Sequence, residues 1–500
     1  MKLTITSIIL FFSLLMSMIS GGCSRPQVPV ENVTVVDALP ALNPDYTDIV
    51  LPPNIAPMNF EIDMPGKEYV TRVTAPDGKL LVAGGKLVKW EIKPWHELLE
   101  SSKGKALKYE VFVKGENDQW SVYKFTNRVA EEDIDPYISY RLIEPSYEQY
   151  AAMTINQRDL TTFDEEVVFN NAAPCDERRG YCINCHVPRN QYADQSSQFH
   201  IRKTKGGTVI MSGDSVRKVN LKTDSTLSAG VYPAWHPTLD LIAYSTNDTH
   251  QTFFSFGNSK VEVYDTASDL ILYDMKTREV SHIANDKDLM ETFPVWSPDG
   301  KKLYYSVAKY PEGITPENIR ENYYTIRYDI VSRDFDLDTR RFSEPDTVVL
   351  SSTEGMSALL PRVSPDGKYL LYCKAPFGTF HIWHPESDLF ITDLATGQER
   401  PLAKANSADT DSYHSWSSNS RWVVFSSRRD DGSYTRPYIT YISPSGDDSK
   451  AFVVPQETPE YYSQLMKSYN VPEFFSAPFT FNRPEIVEQV EQPALATRFK

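Results

Sequence analysis

Short runs of apolar residues bounded by turn residues recur along most of the chain, and long segments with helical periodicity are scarce. In the second half, four segments repeat one order: an apolar run, a tight turn and a second apolar run. They are residues 232–245, 293–306, 360–373 and 414–426. Two of the turns read Ser-Pro-Asp-Gly, and proline presets φ at the second position of such a turn. The pattern predicts antiparallel strand pairs joined by tight turns.

The repetition of these turns predicts a β-propeller. Further apolar runs at 269–274 and 388–393 supply additional strands between the turns. A single four-stranded sheet cannot bury both of its faces, so such sheets stack around an axis. We expect a propeller of five to six blades over residues 207–482, followed by a disordered tail at 483–500. A β-sandwich with coincidental turns is the alternative.

The first half predicts a smaller β domain. Short strand patterns at residues 56–169 are typical of a β-sandwich-like domain, of which the immunoglobulin-like fold is one form. The fold class is therefore all-β, with a sandwich-like domain followed by the propeller. Residues 23–55 are rich in Pro, Asn and Val and predict a tether. Residues 170–206 carry turn residues and little periodicity, which predicts a connector organised by a function or a cofactor.

The first 22 residues have the three parts of a secretory signal: basic Lys2, an apolar core and small residues before Cys23. Ser20-Gly21-Gly22-Cys23 resembles the lipobox of bacterial lipoproteins, although Ser20 stands where Leu is usual. The resemblance implies a diacylated Cys23 and attachment to a membrane through that lipid. The expected location is the bacterial cell envelope, as a periplasm-facing outer-membrane lipoprotein. Plain secretion and an uncleaved apolar anchor are the alternatives.

The chain is acidic, with a formal net charge of −16. It lacks the basic footprint of nucleic-acid binders, so no nucleic-acid partner is expected. Export would place its five cysteines where disulfides persist and where haem is attached covalently. The sequence does not identify a redox partner or another protein partner.

Cys182-x-x-Cys185-His186 has the spacing of a c-type haem attachment motif. Its two thiols form thioethers to the porphyrin, and the adjacent histidine is the proximal iron ligand. The motif predicts one covalent haem c. A disulfide among Cys175, Cys182 and Cys185 is the main alternative, and a zinc site is disfavoured because no second Cys/His pair with finger spacing follows. Cys373 ends an apolar strand and is predicted to be a buried free thiol.

The chain after the motif contains two candidates for the distal iron ligand. His200 lies 14 residues after His186, and Met211, the runner-up, lies 25 residues after it. A His-His pair holds the iron at low potential, whereas a Met ligand raises the potential. Another ligand or an open position is the remaining possibility.

Two resemblances extend this interpretation. The turn Trp-Ser-Pro-Asp-Gly-Lys at 296–301, followed by a Leu-x-Tyr-Ser strand, resembles the propeller repeat of TolB and its relatives across residues 208–454. Cys-x-Asn-Cys-His, then Phe199-His200-x-Arg202, then Gly-Gly-Thr at 206–208 resembles bacterial lipoproteins that join one C-x-x-C-H segment to such a propeller. These resemblances imply an exported cytochrome-like protein.

The function expected from the sequence is a lipid-anchored c-type cytochrome-like protein that serves electron transfer or redox sensing. Its propeller would dock a partner or ligand. A non-enzymatic role is favoured, because no acid/base pair can be assigned near the motif and no G-x-S-x-G nucleophile elbow occurs. The alternatives are a haem-free TolB-like scaffold that binds proteins or glycans, and a propeller enzyme.

Overall fold

A computed structural model describes the fold over residues 26–144, 152–171, 182–192, 195–202, 205–255 and 261–500. The predicted signal segment, Cys23 and Cys175 lie outside these described residues. Cys182 and Cys185 are described by their backbone only.

Described residues 26–134 form the N-terminal domain. One sheet has the order β1-β9-β8-β5-β6, with β3 beside β9, and a second has the order β2-β4-β7. Helix α1 buries Trp95, Leu98 and Leu99, and residues of both sheets enter the same apolar core. Two β-sheets and one helix therefore occupy the N-terminal region, where a sandwich-like domain over residues 56–169 was predicted. Its elements are β1 (Val33–Val36), β2 (Leu42–Asn43), β3 (Val50–Leu51), β4 (Phe60–Ile62), β5 (Glu68–Thr74), β6 (Leu80–Gly84), β7 (Leu87–Val88), α1 (Ile92–Glu100), β8 (Ala106–Lys114) and β9 (Trp120–Val129).

The remaining elements build the propeller. They are β10 (Tyr137–Ile143), β11 (Thr154–Asp159), β12 (Glu165–Asn170), β13 (Cys182–Pro188), β14 (Ser196–Arg202), β15 (Gly207–Ser212), β16 (Ser215–Asn220), β17 (Val231–Trp235), β18 (Leu241–Phe253), β19 (Val261–Asp274), β20 (Glu279–Ala284), β21 (Leu289–Trp296), β22 (Lys302–Lys309), α2 (Ile319–Asn322), β23 (Asp329–Asp334), β24 (Asp346–Val349), β25 (Ser357–Val363), β26 (Tyr369–Ala375), β27 (Asp388–Asp393), β28 (Glu399–Pro401), β29 (Asp411–Trp416), β30 (Trp422–Ser427), β31 (Arg436–Tyr441), β32 (Phe452–Val453), α3 (Tyr461–Gln464), β33 (Ser468–Phe475), α4 (Arg483–Glu491), β34 (Leu495–Ala496) and β35 (Arg498–Phe499).

In the described chain these strands form six blades around one axis. Blade 1 is β33-β10-β11-β12, blade 2 is β13-β14-β15-β16-β34, and blade 3 is β17-β18-β19-β20-β35, each written from its inner strand outward. Blades 4, 5 and 6 are β21 to β24, β25 to β28 and β29 to β32. The inner strands of neighbouring blades contact each other, from β13 through β17, β21, β25 and β29 to β33. The predicted propeller is confirmed, and six blades are present where five to six were expected.

Blade 1 joins distant parts of the chain. Its inner strand β33 comes from the C-terminal region, and β10, β11 and β12 come from residues that the sequence assigned to the sandwich-like domain. Likewise β13 and β14, which fall in the predicted connector, are the two innermost strands of blade 2. The boundaries therefore differ from those expected, because a blade strand and a sandwich strand have the same local pattern of short apolar runs. Only the long-range pairing distinguishes them.

The predicted tether and tail also contain paired elements. Strands β1, β2 and β3 lie within residues 23–55 and join the N-terminal sheets. In the tail, α4 buries Ile486 and Val490 in an apolar cluster with residues of blades 1 and 2. Strands β34 and β35 pair in parallel with β16 and β20. Strands of two to four residues leave too little periodicity to be recognised in a sequence.

The structure predicts that closure of blade 1 is a major source of propeller stability. Ile138 on β10 is fully buried and lies opposite Phe474 of β33. Ile138→Ala should lower the free energy of unfolding by about 2–5 kcal/mol, because it removes buried methyl groups and leaves a cavity. Urea unfolding followed by tryptophan fluorescence measures the change. Leu227→Ala, at a side chain that is 45% exposed, is the matched control and should stay within about 0.5 kcal/mol of wild type. Equal effects of the two substitutions would contradict the prediction.

Candidate functional site

The inner strands of the blades share a β-bulge at equivalent positions. In blades 3 to 6 the register shifts next to a residue with positive φ, and blade 1 has the same feature on β33. Such a bulge adds one residue and re-aims a side chain. The five residues with positive φ all line one cavity on the axis, and they are Tyr232, Phe293, Leu360, Tyr413 and Val471.

The C-x-x-C-H motif occupies the equivalent position of blade 2. On β13 the register shifts between Asn184 and Val187, so Cys185 and His186 are the two residues of the bulge. Counting from the register shifts, Cys185-His186 corresponds to Tyr232-Pro233 in blade 3 and to similar pairs in the other blades. The sequence analysis missed this equivalence, although aligning Cys-His-Val with Tyr-Pro-Ala and Phe-Pro-Val would have found it.

The axial cavity has a volume of about 150 Å³ and lies within a wider funnel of about 1270 Å³ that includes solvent at its mouth. Aromatic side chains from several blades form much of its wall, among them Tyr232, Phe293 and Tyr413. Residues of the long β18–β19 hairpin line it as well. The cavity is therefore built from every blade and cannot exist before the ring closes.

His186 is the motif residue whose side chain can be described, and it lines the axial cavity. It is 1% exposed, and neither ring nitrogen has a hydrogen-bond partner of normal geometry among the described residues. Burial and, to a lesser degree, the positive charge of Arg141 lower the pKa of His186 to about 3, against the opposing effect of the Ser139 backbone. The ring is therefore neutral at pH 7, as an imidazole must be to bind a metal ion.

Three arginines also line this cavity: Arg141 on β10, Arg202 on β14 and Arg362 on β25. Arg141 is buried and donates a hydrogen bond to the Asn470 side chain of β33. Arg362 donates to the Pro361 carbonyl over 3.3 Å, and burial lowers the pKa of its guanidinium. Of these three arginines, the sequence pointed only to Arg202, because Arg141 and Arg362 lie far from the motif in the chain.

His200 lies on β14, and its backbone pairs with Asn184 of the motif. Its side chain is buried, its Nδ1 has no hydrogen-bond partner among the described residues, and burial lowers its pKa to about 3. It does not appear among the described residues that line the cavity beside His186. Met211, on β15, packs in an apolar cluster with Ile155 and Phe199.

A second cavity of about 320 Å³ lies on the same axis. Four residues line both cavities and therefore form a neck between them: Val187, Pro233, Pro294 and Arg362. Beyond the neck, Glu473 is buried with one carboxylate oxygen unpartnered among the described residues. Burial raises the pKa of Glu473 to about 7.

The residues of the axial cavity fit a haem. The porphyrin ring is flat and apolar, and the aromatic wall offers it matching surfaces. Its two carboxylates require cationic partners, which the three arginines provide. Its iron requires a neutral donor, and His186 is a buried, neutral imidazole at this wall whose ring nitrogens have no hydrogen bond of normal geometry among the described residues.

A second cluster of histidines lies in blade 5. Cys373 is a buried free thiol, as predicted, and its Sγ lies 3.4 Å from His381 Nδ1. His384 Nε2 lies 3.0 Å from a carboxylate oxygen of Glu262 on the β18–β19 hairpin. In the part of the chain that the structure describes, no group of three or more His, Cys, Asp or Glu residues is arranged to hold a metal ion.

No family model and no curated protein matches this chain. Solved structures that resemble it include TolB from Acinetobacter baumannii, with 15% identity and a TM-score of 0.43, over 74% of this chain and 78% of that one. Hydrazine synthase from Kuenenia stuttgartiensis has 11% identity and a TM-score of 0.44, over 70% of this chain and 48% of that one. The tricorn protease has 10% identity and a TM-score of 0.36, over 70% of this chain and 33% of that one. The propeller assignment itself rests on the sheets described above.

The buried neutral state of His186 predicts a pH dependence of stability. Unfolding exposes a ring with an ordinary pKa near 6.5, so below that pH the unfolded state binds a proton that the folded state excludes. Above about pH 6.5 the neutral His186 causes no loss of stability. As the pH drops from 6.5 towards 3, it lowers the free energy of unfolding by about 1.4 kcal/mol per pH unit. In haem-free protein, His186→Gln should therefore lose less stability than wild type between pH 6.5 and pH 4. Urea titrations across that range measure it, and equal slopes for both proteins would refute the assignment.

Proposed function

We propose that this protein is an exported lipoprotein of the bacterial cell envelope that carries one covalent haem c in the axial cavity of its propeller. Cys23 would bear the lipid and attach the protein to the outer membrane, facing the periplasm. Within the described residues, every helix is too short or too polar to cross a bilayer.

The observation that carries the proposal is the position of the motif. Cys185 and His186 occupy the bulge of an inner strand, and the equivalent residue to Cys185 in each other blade lines the axial cavity. His186 adds a buried imidazole without a hydrogen-bond partner of normal geometry among the described residues. Leaving a buried polar group without a hydrogen bond of normal geometry lowers the stability of the fold, so such a group calls for a functional explanation.

In this proposal the chain holds the haem at defined atoms. The thiols of Cys182 and Cys185 would form the two thioethers, and His186 would be the proximal ligand. The aromatic wall of Tyr232 and Phe293 would cover the ring and exclude water. When bound, the haem supplies a one-electron couple, and the chain tunes it through ligand identity, burial and neighbouring charge.

Electron transfer or redox sensing is the role that this arrangement supports best. The propeller would dock the redox or protein partner, whose identity the chain does not reveal. The competing function is a haem-free scaffold that binds proteins or glycans. The confirmed propeller supports both, so the presence of covalent haem decides between them.

Production with a c-type cytochrome maturation system should yield one haem per chain. A pyridine haemochrome spectrum of denatured protein measures covalently attached haem. We expect Cys182→Ser/Cys185→Ser to abolish it, because both thioethers are lost. Cys373→Ser changes a buried free thiol in blade 5 and should leave the haem content unchanged. Wild-type protein without covalent haem would overturn the proposal and favour the scaffold.

His200 is the proposed distal ligand, and Met211 remains the runner-up. The unpartnered Nδ1 of His200 supports this choice, since Met211 is packed among apolar side chains. His200 is not among the described residues that line the axial cavity, so its side chain would have to turn towards the iron. In the haem-loaded protein, His200→Ala should convert a low-spin absorption spectrum to a high-spin one. Met211→Leu preserves the apolar packing and should leave the spectrum unchanged. A low-spin His200→Ala spectrum would reject His200 as the ligand.

A further inference from the structure

The charge of the axial cavity differs from that of the protein as a whole. The chain has a formal net charge of −16, yet the charged residues among the described lining of this cavity are Arg141, Arg202 and Arg362. His186 also lines the cavity and is neutral at pH 7, because burial lowers its pKa to about 3. Of the described residues that line the cavity, none is an aspartate or a glutamate.

The arginines are held in place by different parts of the fold. Arg141 is 7% exposed and is oriented by Asn470, which is 6% exposed and also lines the cavity. Arg362 stands at the neck between the two axial cavities. Arg202 is exposed at the end of β14. The three arginines therefore line one cavity from blades 1, 2 and 5.

Two buried carboxyl groups interact electrostatically with these arginines without lining the axial cavity. Glu473 acts electrostatically on Arg141 and Arg362. Asp265 acts on Arg202, and it accepts hydrogen bonds from Asn247 and Thr249 at 2.8 and 2.6 Å. Burial raises the pKa of Glu473 to about 7 and that of Asp265 to about 6. Even when both are ionised, these two groups carry two negative charges, which do not cancel the three positive charges of the arginines.

We propose that the axial cavity binds a small oxyanion, or the carboxylate group of a larger ligand, through Arg141, Arg202 and Arg362. Guanidinium groups in a partly desolvated cavity favour an anionic partner, which they bind by charge-assisted hydrogen bonds. Neighbouring cations also raise the local concentration of anions in a cleft. This inference goes beyond the proposed function and does not require haem. The haem carboxylates are one source of the anion, and a free anion is the other.

Isothermal titration with sodium sulfate at low ionic strength tests the proposal. The full chain is used in two forms: haem-loaded wild type, and Cys182→Ala/Cys185→Ala made without haem. In the haem-free form we expect saturable binding of one sulfate per chain. Arg362→Gln in that form should weaken binding about 10- to 100-fold, as expected for the loss of a hydrogen bond to a charged group.

Arg202→Gln is the second variant, chosen because this exposed side chain can be changed with little effect on folding. It should weaken sulfate binding in the same direction. Arg217→Gln is the matched control, since Arg217 is exposed on outer strand β16 and its Nε bonds to Ser215. We expect its sulfate affinity to equal that of the parent protein.

The outcomes separate this inference from the haem proposal. Sulfate binding by the haem-free form alone identifies the haem carboxylates as the natural occupant. Sulfate binding by both forms identifies a free anion as the occupant. Either outcome supports the proposed anion site. Saturable binding persists in the haem-free form even if wild type never acquires haem. The proposal is overturned if the haem-free form shows no saturable binding, or if Arg362→Gln and Arg202→Gln bind sulfate as well as Arg217→Gln does.

Discussion

Pairing between β33 and β10 is the interaction on which the remaining structure depends. It joins the C-terminal inner strand to three strands from the first third of the chain and completes the ring of six blades. Without that ring, neither axial cavity has a continuous wall, because each takes residues from opposite blades. The cavities therefore depend on contacts between strands far apart in the chain. Forming those contacts costs loop-closure entropy, and that cost precedes the formation of the site.

The bulged inner strands turn this closed ring into a site. A regular strand alternates its side chains between the two neighbouring blades and would leave the axis without a defined lining. One added residue per inner strand re-aims a side chain towards the axis. Five blades use this position for Tyr232, Phe293, Leu360, Tyr413 and Val471, and blade 2 has Cys185 there. A haem motif at this position would use a feature that the repeat already contains.

Burial governs the electrostatics around the axis. It keeps His186 neutral, raises the pKa of Glu473 to about 7 and leaves the arginines as the main charges at the cavity wall. An acidic protein therefore has a cationic centre. These charges come from blades 1, 2 and 5, so the local character of the cavity does not follow from the overall composition.

The sequence by itself determined the all-β class, the propeller repeat, the buried thiol Cys373 and the residues of the C-x-x-C-H motif. Each of these depends on neighbouring residues: alternation, turn chemistry or fixed spacing. Only the tertiary structure decided that β10, β11 and β12 belong to blade 1, that β13 is an inner strand, and that Arg141 and Arg362 line one cavity with His186. Those relations arise from pairing between strands far apart in the chain. The local pattern of a strand does not identify the strand with which it pairs, because every blade strand has the same short apolar run.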